Sequence, residues 1–142
     1  MKLFSSFANN LFEPNYISTL IEEKKPTLFG DQLYLLPKEA PSLKGIKIER
    51  PGLHLGTIKK DRFEPSHALA LATKPLNCKN TISFSASSKE IRDYIWGQSI
   101  FTENKNEGWT LVCVDNYSIG WGKMTNGQMK NHYPKGLRKV LQ

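Results

Sequence analysis

No stretch of the sequence approaches the roughly 18 consecutive apolar residues that a membrane-spanning helix needs. The opening MKLFSSFANN sets one lysine before a polar break, not before an apolar core and a small-residue cleavage site. Cysteine is scarce: Cys78 and Cys113 are too few for a disulfide scaffold and give no reason to invoke an oxidising compartment. These absences lead us to expect a soluble, intracellular protein, placed in the cytoplasm and without a membrane partner. Acidic residues are missing from one end of the chain, since no Asp or Glu follows Asp115.

Motifs that carry chemistry are missing too. No Gly-rich loop follows a strand and opens a helix. Gly120-Trp121-Gly122 lacks a third glycine and sits in a strand–turn–strand pattern, where a bulge or a close backbone approach explains it. There is no P-loop. His54, His67 and His132 are far apart, and no cysteine stands two to four residues from another cysteine or a histidine, so no metal site is expected. Cys78 lies in Asn-Cys-Lys and is expected to be an exposed, inert thiol. Cys113, between two valines, is expected in the core. His67, just inside a helix start, is read as structural. No catalytic residue and no cofactor is assigned.

What is present fits one globular domain. The 142 residues are 39% hydrophobic and 23% charged. The net charge of +7 is segregated: residues 1–43 carry −1, 44–62 carry +4, 63–121 carry −1 and 122–142 carry +5. Segregated positive charge suits a polyanionic partner, although a basic face that serves only solubility fits the charge equally well.

Periodicity outlines the elements. Tyr16, Ile17, Leu20 and Ile21 predict a helix over 14–24 that Pro26 ends. Residues 31–36 read as a strand and 37–42 as a linker. From Gly45 the pattern turns to β. Ile46 and Ile48 alternate with charged residues, and Leu53, Leu55 and Thr57 alternate in a second strand. Ser66 caps a short helix to Ala72. Residues 81–86 form a strand. Ser87-Ser-Lys-Glu90 reads as a capping box ahead of Ile91, Tyr94 and Ile95, and Gly97 stops that helix. Three strands follow, 109–114, 118–123 and 128–133, joined by turns at Asp115-Asn116 and Thr125-Asn126-Gly127. The expected fold is mainly β with short helices (α+β), a barrel-like domain over 44–142 preceded by a small helix–strand segment over 1–43.

The tail from Ile119 to Lys139 interleaves Lys123, Lys130, Lys135, Arg138 and Lys139 with Trp121, His132 and Tyr133. Cations contact phosphates, and aromatic planes stack on unpaired bases. On a strand, Lys130 and His132 would share one face and Asn131 and Tyr133 the other. Trp121 is expected to be a core or barrel-end residue. Tyr133 has two open roles, stacking on RNA or packing under the Pro134 turn. Pro134 and Gly136 bracket Lys135 in a tight loop. A second block, Lys59, Lys60 and Arg62, precedes the Ser66 helix. There Arg62 beside the helix N-terminus would meet phosphate, and an exposed turn of solvated charges is the competing reading.

The run Pro51-Gly-Leu-His-Leu-Gly-Thr-Ile-Lys-Lys-Asp-Arg-Phe-Glu-Pro-Ser-His-Ala-Leu-Ala, then Gly108-Trp, Gly120-Trp-Gly-Lys123 and Lys130-Asn-His-Tyr-Pro-Lys-Gly-Leu-Arg138 resembles a known module. It is similar to the PUA-like RNA-binding domain at the C-terminus of the RsmF/YebU group of NOL1/NOP2/Sun RNA cytosine-5 methyltransferases. The resemblance runs from about Gly45 to Arg138, and residues 1–43 look like the small segment that precedes the domain. It implies RNA binding, with ribosomal RNA as the partner and a methyltransferase domain in the same or another chain as a second partner. Phosphate contacts fall to Lys59, Lys60, Arg62, Lys123, Lys130, Lys135, Arg138 and Lys139, and base or sugar contacts to Asn131, His132 and Tyr133. Catalysis does not carry over. The family's S-adenosylmethionine loop is missing, and its catalytic cysteine follows Thr or Pro, whereas Cys78 follows Asn and Cys113 follows Val. The chain is then either a free-standing version of the domain, which Met1 favours, or the C-terminal piece of a longer enzyme. A protein–protein adaptor that docks a methyltransferase or a ribosomal protein is the alternative, and a small barrel-cleft hydrolase the last.

Overall fold

The structure, a computed structural model, describes residues 2–22, 24–37, 52–103 and 106–137. Its helices are α1 (Lys2–Leu11), α2 (Pro14–Ile21), α3 (His67–Ala72) and α4 (Lys89–Ile95). Its strands are β1 (Lys24–Phe29), β2 (Gln32–Pro37), β3 (Leu53–Ile58), β4 (Phe63–Pro65), β5 (Thr81–Phe84), β6 (Ile100–Phe101), β7 (Gly108–Val114), β8 (Tyr117–Thr125) and β9 (Gln128–Asn131). They form one four-stranded and one five-stranded sheet, the mixed architecture of short helices and β-strands that the sequence predicts. No helix among the described residues is long and apolar enough to cross a membrane.

The chain divides into two compact units, Met1–Leu69 and Ala70–Gln142. The expected boundary after residue 43 differs from this division. Strands β2 and β3 lie on either side of it and pair in one sheet, so hydrogen bonds hold together what the Pro-rich stretch seemed to separate. The strand read at Ile46 and Ile48 lies outside the described residues.

In the first unit, Phe4, Phe7, Ala8 and Leu11 recur at helical spacing and are buried, which makes α1 an amphipathic helix. Phe63 of β4 receives Phe4 and Phe7, with ring centroids 5.2 and 4.9 Å away. Helix α2 starts on Pro14 and stops at Ile21, three residues short of expectation. Residues 24–29 form strand β1 instead, and Pro26 lies inside it. Among the described residues β1 is an edge strand with β2 as its one partner, and such a strand tolerates the missing N–H. Strands β1 to β4 run as an antiparallel meander, with an irregularity between Leu33 and Tyr34. Leu33, Leu35 and Leu55 are fully buried beneath it. Ser66 Oγ accepts from Leu69 N at 3.0 Å, the predicted cap of α3.

In the second unit the sheet order is β5-β7-β8-β9-β6, with β5 parallel to β7 and the other pairs antiparallel, and the sheet curls as a half-barrel. Tyr94 of α4 joins Ile100, Val112, Met124 and Met129 in the core, with Tyr133 packed against them. Tyr94 Oη donates to Trp121 O at 2.8 Å. A Cβ at Gly120 would collide with that hydroxyl, so the close approach expected of Gly120-Trp121-Gly122 is observed, and Trp121 is buried. Both predicted turns have their two central residues at positive φ, Asp115-Asn116 at 46° and 70° and Asn126-Gly127 at 50° and 78°. The cap of α4 is Ser88, not Ser87: Ile91 N donates to Ser88 Oγ at 3.3 Å, so Ile91 takes the third helical position, the expected capping box is not formed and Glu90 lies inside the first turn. Gly97, at φ 91°, follows the end of α4 as expected. Cys78 is buried, contrary to the expectation of an exposed thiol. Cys113 is buried as expected, and burial pushes its thiol up to about 11.

Candidate nucleic-acid interface

Cross-strand partners point to the same face of a sheet. The register pairs Trp109 with Lys123 and Lys123 with Lys130, so one residue from each of β7, β8 and β9 forms a transverse row. Lys123 Nζ stands 5.3 Å from the centre of the Trp109 ring, within cation–π range. His132, two residues beyond Lys130, meets the other part of the row: its ring lies 4.5 Å from that of Trp109, at 61°. Trp109 and His132 are half-buried, and Lys130 is exposed. One row further, Phe101 pairs with Gln128, and the Phe101 side chain is 77% exposed, the most of any large apolar residue here together with Tyr117. Lys135 is exposed on a short 3-10 turn over Lys135–Leu137.

The opposite parity of β9 does different work. Asn131 Nδ2 donates to Tyr94 O at 2.7 Å and to Gln98 O at 2.9 Å, and its Oδ1 accepts from Tyr133 N at 2.8 Å. Its amide therefore ties β9 to the end of α4. Tyr133 lies 5.3 Å from the Tyr94 ring and packs on the core, which favours its structural role over stacking on RNA. Lys130 and His132 do share one face while Asn131 and Tyr133 share the other, as alternation predicts.

The second basic block is on the first unit. Lys59 and Lys60 are exposed at the turn between β3 and β4. Arg62 is occupied: its guanidinium sits 3.1 Å from Glu64 and 3.7 Å from Asp61, so its charge is compensated locally. At the adjoining start of α3, Ser66 Oγ occupies the N–H of Leu69. Among the described residues, Lys59, Lys60, Lys123, Lys130 and Lys135 make no ion pair. Arg138 and Lys139 lie outside the described residues. Trp109 is the member of this row that sequence reasoning did not single out. Its signal was the pairing of β7 with β8, which sets it opposite Lys123. Among the described residues no three His, Cys, Asp or Glu side chains cluster as a metal site.

A curled five-stranded sheet backed by a short helix, with a basic and aromatic outer row, defines a PUA-like module. The chain belongs to the RsmF methyltransferase family, as its C-terminal domains. Residues 6–73 match the RsmF rRNA methyltransferase first C-terminal domain, and residues 81–139 match the methyltransferase RsmF PUA domain. Neither matched model is a catalytic domain. Ribosomal RNA small subunit methyltransferase F of Shewanella baltica (strain OS223) is 29% identical over 114 residues, covering 77% of this chain and 23% of that protein. The protein of the same name from Aliivibrio salmonicida (strain LFI1238) is 27% identical over 111 residues, covering 75% and 22%. That from Vibrio vulnificus (strain YJ016) is 24% identical over 111 residues, covering 78% and 23%. The chain thus spans about a quarter of the length of these relatives.

Proposed function

We propose that this chain is an RNA-binding module, that its ligand is ribosomal RNA, and that it positions the RNA for cytosine-5 methylation by a methyltransferase domain outside this sequence, with the cytoplasm as its location. The observation that carries this reading is the Trp109–Lys123–Lys130 row with His132 against its aromatic end. Lys123, Lys130 and Lys135 are cations with no described ion-pair partner, suited to phosphates, and Trp109 supplies a plane for an unpaired base. Kinship with the RsmF C-terminal domains supports the same ligand class.

The test is fluorescence anisotropy with structured RNA at several salt concentrations. Lys130→Gln should weaken all RNAs alike and reduce the slope of log affinity against log salt by about 0.7 to 0.9. Trp109→Leu should weaken binding of RNA with unpaired bases by about 1–3 kcal/mol while leaving that slope nearly unchanged. Parent-like binding by both folded variants would remove this face from the interface. The adaptor reading has its own observation: Leu71, Leu76 and Tyr117 are exposed around one cleft of about 430 Å³. RNA binding that survives in none of the conditions, with a protein captured through Leu76, would favour it.

A further inference from the structure

The sheet of the first unit presents a second face that the PUA-type reading leaves without a role. Phe29, Tyr34 and His54 sit on consecutive strands. Phe29 pairs with Gln32, Thr27 with Tyr34 and Tyr34 with His54, so the three rings occupy the same side of β1, β2 and β3. The rings form a ladder: Phe29 meets Tyr34 edge to face at 5.7 Å and 80°, and Tyr34 lies 4.8 Å from His54 at 31° from parallel. Leu33 and Leu35 are buried on the other side, whereas Phe29 keeps 42% of its surface in water and Tyr34 and His54 are half-buried. Cross-strand aromatic pairs stabilise a sheet, but that role does not require the rings to stay open to solvent.

A hub of polar groups holds the ladder in place. His54 Nε2 lies 2.7 Å from Gln32 Oε1 and 3.1 Å from Gly56 O, and Thr57 Oγ1 donates to the same Gln32 oxygen at 3.1 Å. A carbonyl only accepts, so Nε2 carries the proton in the neutral ring and Nδ1 is left as an acceptor. Burial lowers the His54 pKa, which keeps the imidazole neutral at pH 7, a flat ring and not a cation. Around the face the cations Lys24, Lys25, Lys59, Lys60 and Arg62 outnumber the carboxylates of Asp31, Asp61 and Glu64. Lys24, Lys25, Lys59 and Lys60 make no ion pair among the described residues. Glu64 and Asp61 are engaged by Arg62, and Asp31 accepts from Gln32 Nε2 at 2.9 Å.

We infer that the outer face of the β1–β4 sheet is a second RNA contact, where an unpaired base stacks on the Phe29–Tyr34–His54 ladder and Lys25 and Lys59 meet the flanking phosphates. This rests on the RNA-binding reading above and adds a site on the other unit. Stacking needs a base released from its helix, because a paired base offers no open π-face.

The experiment uses the full chain and two RNAs, a hairpin with a single-stranded flank and the same hairpin without it. Tyr34→Leu and Phe29→Ala should each weaken the flanked RNA about tenfold and leave the blunt hairpin unchanged, and Tyr34→Phe should bind as the parent does. Photocrosslinking of parent protein to 4-thiouridine in the flank should label peptides from β1 to β3, which decides the matter even if a variant does not fold. Failure of the parent to bind any RNA would overturn the functional reading itself. If the parent binds, Lys130→Gln weakens it, and the Tyr34 and Phe29 variants together with the crosslinks show no involvement of β1 to β3, this second contact alone is wrong.

Discussion

Lys130 and Asn131 are neighbours on β9 with opposite duties, and the difference sets what each substitution does. The Asn131 amide makes three hydrogen bonds, two that fasten the strand to the end of α4 and one that accepts from Tyr133 N. Asn131→Ala should therefore lower stability by about 1–3 kcal/mol, since it leaves carbonyls and an N–H short of partners. Tyr133→Ala should cost about 2 kcal/mol by stripping the Tyr94 ring of its neighbour. Both effects are read by chemical denaturation. His132→Ala should cost less stability and more RNA affinity, because its ring belongs to the outer row beside Trp109. Loss of stability by His132→Ala equal to that of Tyr133→Ala would place His132 in the core instead. The sorting of Lys130 and His132 from Asn131 and Tyr133 was legible in the sequence, because alternation is a property of any strand. The engagement of Asn131 was not, since its partners Tyr94 and Gln98 are 37 and 33 residues away.

Elements differ in how much of themselves they announce. The start of α4 carries two serines, and only the geometry decides between them. Ser88→Ala should cost about 1 kcal/mol in thermal or denaturant unfolding, as for a lost N-cap, and Ser87→Ala less than half of that. Equal costs would restore the capping box at Ser87. Helix α1 shows its i, i+3, i+4, i+7 pattern plainly in Phe4, Phe7, Ala8 and Leu11, yet its polar serines and asparagines have low helix preference, and the pattern acquires meaning only once Phe63 packs on it. Strand β1 is hidden by Pro26, which reads as a terminator until the strand proves to be an edge. The first unit also carries a titration. Burial lowers the pKa of both His54 and His67 from 6.5. The folded state then holds fewer protons than the unfolded state below pH 6.5, so the stabilisation is full above that value and is lost as pH falls through the folded-state pKa values. Melting temperature should drop between pH 7.5 and pH 5, and His54→Gln combined with His67→Gln should flatten that drop. A profile that keeps its slope in the double variant would assign the effect to other groups.

At the scale of the whole molecule, charge is the measurable property. Lys123, Lys130 and Lys135 alone would neutralise about three phosphates and give a slope of log affinity against log salt of about −2 to −3. Participation of the basic block at Lys59 and Lys60, together with Arg138 and Lys139, should steepen it to about −5 to −6. Anisotropy titrations from low to physiological salt distinguish the two, and a flat response would discard the electrostatic account. The same chain should show no heat of S-adenosylmethionine binding in calorimetry. Neither matched RsmF domain is catalytic, and the described cysteines are buried, Cys113 with its thiol raised to about 11. One-to-one binding of the cofactor at micromolar affinity would contradict this.

The sequence by itself determined the class of elements, the glycine-dependent close approach beside Trp121, the two tight turns of the second sheet and the segregation of positive charge. Each of these depends on neighbours within a few residues, where backbone sterics and periodicity decide the outcome. It also carried the family resemblance, because two long motifs stand in order along the chain. Only the tertiary structure decided which cations are free and which are paired, as with Arg62 held by Glu64 and Asp61, and which ring joins the basic row. Trp109 reaches Lys123 through a register between β7 and β8, and Phe29, Tyr34 and His54 meet through three strands of which the third begins beyond residue 43. Pairing of this kind depends on loop closure and on the burial of leucines on the opposite face, and no local pattern encodes it.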